Sequence, residues 1–268
     1  MKKYKLFITD YDGTLGYRSV IESDTLAAVN EFIAQGGKFV VCTGRMFDSI
    51  KNILLGYGLK CLVVSYQGAM IDDLSSGRRI FSGGMDYKLA AEVTAMLKKE
   101  DADVAVDIGE TRVYERRSEF IDTYEKVTGV HGRQVNDMVK EITENKLPVA
   151  KITVLANPQK VKELTAKYSA LLKNKLIVNN GDKALAEFVS PECDKGAAVR
   201  RVAEYYGISL DEVITAGDST NDVKLVGGEW FGVATGDAAE ELKKVADEIT
   251  VPYKDKPVRY LLEKYCLD

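Results

Sequence analysis

The chain has 268 residues, of which 46% are hydrophobic and 29% are charged, a composition typical of a soluble globular protein with one large domain or two ordinary ones. The 37 Lys and Arg against 41 Asp and Glu leave a net charge of -4, which removes the main electrostatic reason to expect a nucleic acid or an anionic membrane as partner. No apolar run approaches the roughly 20 residues of a membrane-spanning helix, and the apolar stretch behind the N-terminal lysines is too short for a signal peptide.

Cysteine and histidine usage excludes several kinds of site. The four cysteines lie far apart and form neither a zinc pair nor a C-x-x-C motif, so a reducing cytoplasm is the expected compartment. The single histidine, His131, cannot build a multi-histidine metal site or the active site of a histidine phosphatase. A cysteine phosphatase needs an arginine six positions after its cysteine, and none follows Cys42, Cys61 or Cys193 at that spacing. The G-x-x-x-x-G-K-[ST] phosphate loop is also missing.

The first part of the chain alternates strands and helices. Short apolar runs predict buried strands, and caps followed by helically spaced apolar residues predict helices. The predicted elements are a strand at 4–9, a helix between 23 and 36, a strand at 38–42, a helix at 46–55 and a strand at 62–65. This alternation is typical of a parallel sheet covered on both faces.

The middle of the chain has a different order of strands and helices. Strands at 104–107 and 111–114 are separated by Gly109 and Glu110, which predicts a hairpin rather than a crossover. The other predicted elements are helices at 87–99, 120–126, 135–142 and 161–172, strands at 151–155 and 176–178, a turn at 179–182 and an extended segment at 184–189. We therefore predict an α+β domain at 82–186, inserted into a core of 1–81 plus 187–268.

After Cys193 the alternation returns. The predicted elements are a helix at 196–206, strands at 213–216 and 230–234, a helix at 238–245 and a last strand at 248–251. The predicted fold class is therefore α/β, with a discontinuous core.

Polar residues cluster where three predicted parallel strands end: Asp10, Asp12, Thr43, Gly44, Asp218 and Asp222. Because ligands bind beyond the carboxyl ends of such strands, we expect these side chains to meet in one crevice. Four acids repel one another unless a cation lies among them, and Mg²⁺ is the usual hard divalent ion where phosphate is also bound. Lys195 adds a positive charge that could face a phosphate. Each segment alone is more often a turn than a site, so the hypothesis depends on all of them meeting in one sheet.

Four motifs in chain order resemble those of the haloacid dehalogenase-like (HAD) superfamily: Asp10-x-Asp12-Gly13-Thr14, Thr43-Gly44-Arg45, Asp194-Lys195-Gly196 and Gly217-Asp218-x-x-Asn221-Asp222. Two further stretches are similar to signatures of its Cof-type sugar-phosphatase branch: Tyr66-Gln67-Gly68-Ala69 and Ala234-Thr235-Gly236-Asp237-Ala238. That branch carries a large α+β (C2B-type) cap between the second and third motifs, where the predicted insertion falls. It commonly has Asn where Gln67 and Asp237 stand.

The resemblance implies a Rossmann-like, doubly wound parallel sheet with an inserted cap domain. It implies a Mg²⁺-dependent phosphatase for small phosphorylated metabolites, sugar phosphates above all, working through an aspartyl phosphate. Asp10 would be the nucleophile, and Asp12 would be the general acid and then the general base. The implied metal site comprises Asp10, the backbone carbonyl of Asp12, Asp218 and Asp222, the last in a supporting or completing role. The implied phosphate and substrate contacts are Thr43, Gly44, Arg45, Lys195 and Asn221. Thr14 is expected to be a turn hydroxyl without a catalytic role.

Other functions use the same residues. A phosphomutase would employ the same acids and differ only in whether inorganic phosphate is released. A haloacid dehalogenase is less favoured, because carbon–halogen cleavage needs neither Asp12 nor a Mg²⁺ shell. A non-catalytic phosphosugar-binding regulator remains an alternative, since a fold alone does not establish function. The expected partner is a small phosphorylated metabolite, without nucleic acid or membrane, and no oligomeric state is predicted.

Overall fold

The computed structural model describes residues 4–268, of which 180–182 by their backbone alone. The chain forms two compact units. The first comprises the chain up to Ile80 together with Asp194–Asp268, and the second comprises Phe81–Cys193. The first unit is therefore discontinuous in sequence, and the second is inserted into it.

Strands and helices are described in chain order. The strands are β1 (Leu6–Thr9), β2 (Lys38–Cys42), β3 (Leu62–Ser65), β4 (Met70–Asp73), β5 (Arg79–Ser82), β6 (Asp103–Ile108), β7 (Thr111–Tyr114), β8 (Arg133–Gln134), β9 (Val149–Leu155), β10 (Ile177–Asp182), β11 (Leu185–Val189), β12 (Val213–Gly217), β13 (Phe231–Ala234) and β14 (Glu248–Ile249). The α-helices are α1 (Ser23–Ala34), α2 (Phe47–Gly56), α3 (Tyr87–Leu97), α4 (Glu119–Thr128), α5 (Met138–Asn145), α6 (Pro158–Leu171), α7 (Lys195–Tyr206), α8 (Val223–Val226), α9 (Glu240–Lys243) and α10 (Pro257–Tyr265).

The first unit is built on an eight-stranded sheet of order β14-β13-β12-β1-β2-β3-β4-β5. Strand β1 lies inside this sheet and pairs in parallel with β2 on one side and with β12 on the other. The parallel part runs from β14 to β3, and β4 is antiparallel to β3. The strand order changes direction between β1 and β12, and in such sheets ligands bind beyond the carboxyl ends of the strands at this switch point. The predicted α/β class is confirmed.

Large apolar side chains hold the first unit together. All four residues of β1 are buried, as expected for a parallel strand covered on both faces. On one face, the rings of Phe7 and Phe39 stack with centroids 5.9 Å apart. They belong to a core that also contains Phe32 of α1, Leu54 of α2 and Leu261 of α10. The sheet is thereby fixed beneath the loops that follow its strands.

The second unit has a six-stranded sheet of order β10-β11-β9-β6-β7-β8. Its pairings are antiparallel except for β7 with β8. One face carries the apolar core, with Val106 and Ile152 among its members. On the opposite face, the guanidinium of Arg112 donates to Asp107 at 2.9 Å, and both side chains are at most 2% exposed. A charged pair so deeply buried is a structural contact of this unit.

The unit boundaries follow from strand pairing. The sequence predicts an insertion at 82–186, whereas the compact unit is Phe81–Cys193. Strand β11 pairs with both β10 and β9, so the predicted boundary after residue 186 falls inside a strand of the second sheet.

Several element predictions need correction. Strands β4 and β5 and helix α10 are missing from the sequence predictions. The predicted turn at 179–182 lies within β10, and the turn itself is at 183–184. Helix α10 begins with Pro257 at its first turn and buries Val258, Leu261 and Leu262, a spacing that does carry a helix signal. Within the described residues, the helices are all too short or too polar to cross a lipid bilayer.

Candidate active site at the ends of the parallel strands

The loop after β1 places two carboxyl groups close together. Asp10 is 5% exposed, and its backbone N–H donates to the carbonyl of Ala216 in β12. The chain then turns so tightly that Gly16 N–H reaches back to Tyr11 and Gly13 N–H reaches forward to Gly16. This geometry holds Asp10 over the sheet and leaves Asp12 partly exposed, with 43% of its side chain accessible.

Position 13 needs a glycine because of its backbone conformation and because no space is left for a side chain. Its φ is +85°, a region that L residues with a side chain seldom adopt. A Cβ atom there would lie 2.6 Å from Asp218 Oδ2. Gly13 therefore allows the first loop to pass close beside the carboxylate of the second.

A Gly13→Ala substitution is expected to destabilise the protein by about 2–4 kcal/mol, because backbone strain and displacement of Asp218 add together. The control is Gly36→Ala, since Gly36 also has positive φ, +91°, but has open space where the methyl group of alanine would lie. Urea unfolding of both variants measures the difference. Equal losses would show that the contact with Asp218 contributes nothing.

The loop after β12 supplies the other two acids. Asp218 Oδ1 accepts a hydrogen bond from Thr14 Oγ1 at 2.8 Å. Asp222 is fully buried, and its Oδ2 accepts from the backbone N–H groups of Asp218 and Ser219, both at 3.1 Å. Asp222 thus fixes the shape of the loop that presents Asp218.

Lys195 lies among the acids. It begins helix α7 directly after the N-cap Asp194, whose side chain accepts from Ala197 N–H. Its Nζ donates to Asp10 Oδ1 at 2.5 Å and to Asp222 Oδ1 at 2.6 Å. Because Lys195 is 1% exposed, this ammonium is the internal counter-charge of two buried carboxylates.

Burial shapes the protonation of this cluster. Burial raises the pKa of Asp10 well above its ordinary value, and the neighbouring Asp222 adds to the rise while Lys195 opposes it. Burial lowers the pKa of Lys195, but attraction to Asp10 and Asp222 outweighs that and the net direction is upward. Burial likewise raises the pKa of Asp218 to about 6. The excess of negative charge over Lys195 makes the cluster receptive to a further cation.

The raised pKa of Asp218 predicts a pH dependence of stability. The folded protein binds more protons at this group than the unfolded chain does between the ordinary value of 3.8 and about 6, so its contribution to stability falls as pH rises through that window. In EDTA, the unfolding free energy of wild type minus that of Asp218→Asn should fall by on the order of 1–2 kcal/mol from about pH 4 to about pH 7. Urea titrations across this range measure it, and a difference that is flat or rises with pH would contradict the assignment.

The carboxylates fit a metal ion in both distance and chemistry. Asp10, Asp218 and Asp222 each offer an oxygen, and these atoms all lie within 4.8 Å of one another. Carboxylate oxygens are the ligands that hard divalent cations prefer. Both oxygens of Asp222 are already engaged, one by Lys195 and one by the loop N–H groups, which leaves Asp10 and Asp218 as the better donors.

The other residues predicted for the site lie in different environments. Arg45 pairs with Asp12 through two hydrogen bonds, Nε to Oδ2 at 2.7 Å and Nη2 to Oδ1 at 2.6 Å. Thr43 is buried, and its Oγ1 accepts from the N–H of Arg45 at 3.1 Å. Asn221 is exposed and its Oδ1 accepts from Ser219 Oγ at 2.7 Å. Asn221 is thus turned to a neighbour on the surface instead of to the buried acids.

Two contacts at the site have no counterpart in the sequence predictions. The expected turn residue Thr14 also binds the carboxylate of Asp218. Gln67 has a left-handed backbone, with φ of 58°, and its side-chain amide lies against the space that a Cβ of Gly44 would occupy. Gly44 is therefore needed for the approach of this amide, which identifies Gln67 as a neighbour of the second motif.

Comparison of the sequence with known proteins agrees with the chemistry of this site. The family model described as haloacid dehalogenase-like hydrolase matches residues 7–262, so the chain belongs to that family. The phosphatase YwpJ of Bacillus subtilis is 24% identical over 297 residues, covering 97% of this chain and 99% of the relative. The prediction that the chain is a hydrolytic enzyme is confirmed. The phosphatase relative agrees with the more specific class of phosphoric monoester hydrolases.

Solved structures share the same fold. A haloacid dehalogenase-like hydrolase from Bacteroides thetaiotaomicron is 25% identical with a TM-score of 0.85, covering 98% of this chain and 99% of that one. The HAD subclass IIB sugar phosphatase BT4131 is 21% identical with a TM-score of 0.79, covering 97% and 98%. At 21% identity, the similarity to BT4131 shows a shared fold alone.

Proposed function

We propose that this protein is a Mg²⁺-dependent phosphatase that hydrolyses small phosphorylated metabolites, sugar phosphates among them, through an aspartyl-phosphate intermediate. The observation that carries the proposal is the close group of Asp10, Asp218 and Asp222, in which the buried Asp10 and Asp222 both pair with Lys195. The family and the phosphatase relatives support the reaction class. The substrate class is proposed from the resemblance of the motifs to the sugar-phosphatase branch.

In the proposed reaction, a carboxylate oxygen of Asp10 attacks phosphorus and the bond to the leaving oxygen breaks. Asp12 gives its proton to that oxygen, because an alkoxide is a poor leaving group. Water then attacks the phosphoryl group, its proton passes to Asp12, and the bond to Asp10 breaks. Asp12 is partly exposed, as a group that exchanges protons with substrate and water must be.

Asp10 and Asp218 would hold the cation together with the backbone carbonyl of Asp12, and Asp222 would support them. When bound, Mg²⁺ would favour the ionised carboxylates and reduce repulsion between the nucleophile and an anionic phosphate. Lys195 would neutralise charge on the phosphoryl oxygens, with Thr43 and Gly44 as further contacts and Arg45 on the leaving-group side. Asn221 would join them on turning away from Ser219. Positioning and charge neutralisation supply most of the catalysis in such reactions.

The proposal assigns the first unit, which comprises the chain up to Ile80 and Asp194–Asp268, as the catalytic core, and the inserted unit, Phe81–Cys193, as the cap domain. It also assigns the enzyme to the cytoplasm. The four cysteines are buried and form no disulfide bond within residues 4–268, which suits a reducing compartment.

A screen of phosphorylated metabolites tests the proposal. With Mg²⁺, inorganic phosphate should be released from one or more small phosphomonoesters, and chelation by EDTA should lower the rate at least about a hundredfold. Added Mg²⁺ should restore it, and a calcium-only sample serves as the matched ionic control. Equal rates with and without EDTA would contradict the metal requirement. Transfer of phosphate within hexose phosphates without release would identify a mutase instead.

A further inference from the structure

The pair between Arg45 and Asp12 competes with proton delivery by Asp12. Both carboxylate oxygens of Asp12 accept N–H groups of Arg45, at 2.7 and 2.6 Å. A general acid has to present one of these oxygens to the leaving group of the substrate. Because Arg45 holds both oxygens and fixes the orientation of the carboxyl group, release of one oxygen would let Asp12 turn toward the leaving group.

The pair is accessible to a competing ligand. The Arg45 side chain is 26% exposed and that of Asp12 is 43% exposed, so solvent screens the attraction between them and little stability is lost when they separate. Arg45 itself is held from other sides. Its Nη2 donates to the carbonyl of Arg18 at 3.3 Å, and its guanidinium lies 5.1 Å from the ring centroid of Tyr11. It can thus stay in place while its carboxylate partner changes.

Opening of the pair frees the guanidinium of Arg45 to bind another anion. Arg45 would then lack a counter-charge. The exposed side chain of Arg18 lies over the ring of Tyr17, 5.5 Å from its centroid, and forms no hydrogen bond or ion pair within residues 4–268. A guanidinium forms its strongest contacts with carboxylates and phosphates, which it binds through two parallel hydrogen bonds.

On the basis of the phosphatase function above, we propose that the preferred substrates carry a second anionic group, a carboxylate or a further phosphate, on the alcohol that leaves. This group replaces Asp12 as the partner of Arg45 and frees Asp12 to protonate the leaving oxygen. Substrates without it leave Arg45 bound to Asp12 and react more slowly. Arg45 is then a specificity-determining residue for the leaving group, separate from the residues that bind the transferred phosphoryl group.

Matched pairs of esters test this inference. The pairs are 3-phosphoglycerate with glycerol 3-phosphate, 2-phosphoglycolate with ethyl phosphate, and fructose 1,6-bisphosphate with fructose 6-phosphate. In saturating Mg²⁺, kcat/KM should be about tenfold or more higher for the anionic member in at least one pair, the effect of one charge-assisted bidentate contact. Arg45→Gln should reduce that ratio to near one, and Arg45→Lys should keep part of it.

Lys244→Gln is the control, since it removes the same charge from an exposed position beyond α9 and should leave every ratio unchanged. Ratios near one in the wild type, or high ratios that survive Arg45→Gln, would overturn this inference while leaving the phosphatase intact. If no ester released phosphate in an Asp10-dependent manner, the proposed function itself would fall and this inference with it.

Discussion

Replacement of Asp10 by asparagine is expected to lower phosphate release from p-nitrophenyl phosphate at least about a thousandfold, since an amide cannot form the covalent phosphoryl intermediate. The effect should appear in kcat, because binding of phosphate depends on other groups at the site. The buried position of Asp10 beside Lys195 makes this carboxylate well shielded from water. Steady-state kinetics with Mg²⁺ measure the loss.

Asp48→Asn is the matched control for the nucleophile. Asp48 is an exposed residue in the first turn of α2, so the same chemical change there should leave turnover within about twofold of wild type. Circular dichroism checks that both variants are folded. Turnover of Asp10→Asn close to wild type would remove Asp10 as nucleophile and, with it, the proposed reaction.

A Lys195→Met substitution is expected to destabilise the first unit by about 3–5 kcal/mol, the usual cost of removing one partner from a buried ion pair. Methionine fills similar volume but leaves Asp10 and Asp222 without their common counter-charge. The sole tryptophan, Trp230, is buried in this unit, so its fluorescence in urea reports the unfolding of the unit. Activity should be lost as well.

Lowering the pH should reduce the loss of stability caused by Lys195→Met. The raised pKa of Asp10 means that its carboxyl takes up a proton more readily than usual, and a neutral carboxyl no longer repels Asp222. The difference between wild type and Lys195→Met should therefore shrink as pH is lowered. Lys244→Met controls for a surface lysine, with an expected change within about 0.5 kcal/mol. A loss equally small for Lys195→Met would show that the ammonium does not stabilise the acids.

The parts of the fold that could be predicted are those with strong local periodicity. Strands β1 to β3 are short apolar runs bounded by glycine or polar residues, and α7 has both an N-cap aspartate and a C-terminal glycine. Strand β4, in contrast, ends in Asp72 and Asp73. Charge inside a strand hides it from a hydrophobic pattern, and the buried Asp72 pairs with Arg79 of β5.

The site was predictable in its location but less so in its contacts. Parallel strands bring their carboxyl ends to one edge, so Asp10 and Asp218 could be expected to meet. Which cation faces which acid depends on side-chain rotamers and on competing partners. Residue order alone does not decide that Lys195 binds Asp10 while Arg45 binds Asp12. The surface contact of Asn221 with Ser219 is equally a matter of local geometry.

The pairing of β1 with β12 has a consequence for synthesis on the ribosome. Strand β1 is synthesised before the inserted unit, but one of its two neighbours, residues 213–217, follows that entire unit. Until then the nascent chain carries a hydrophobic strand with an unsatisfied edge, which is a template for wrong pairing. The inserted unit completes its sheet from contiguous sequence, and its early collapse would shorten the loop that β12 has to close.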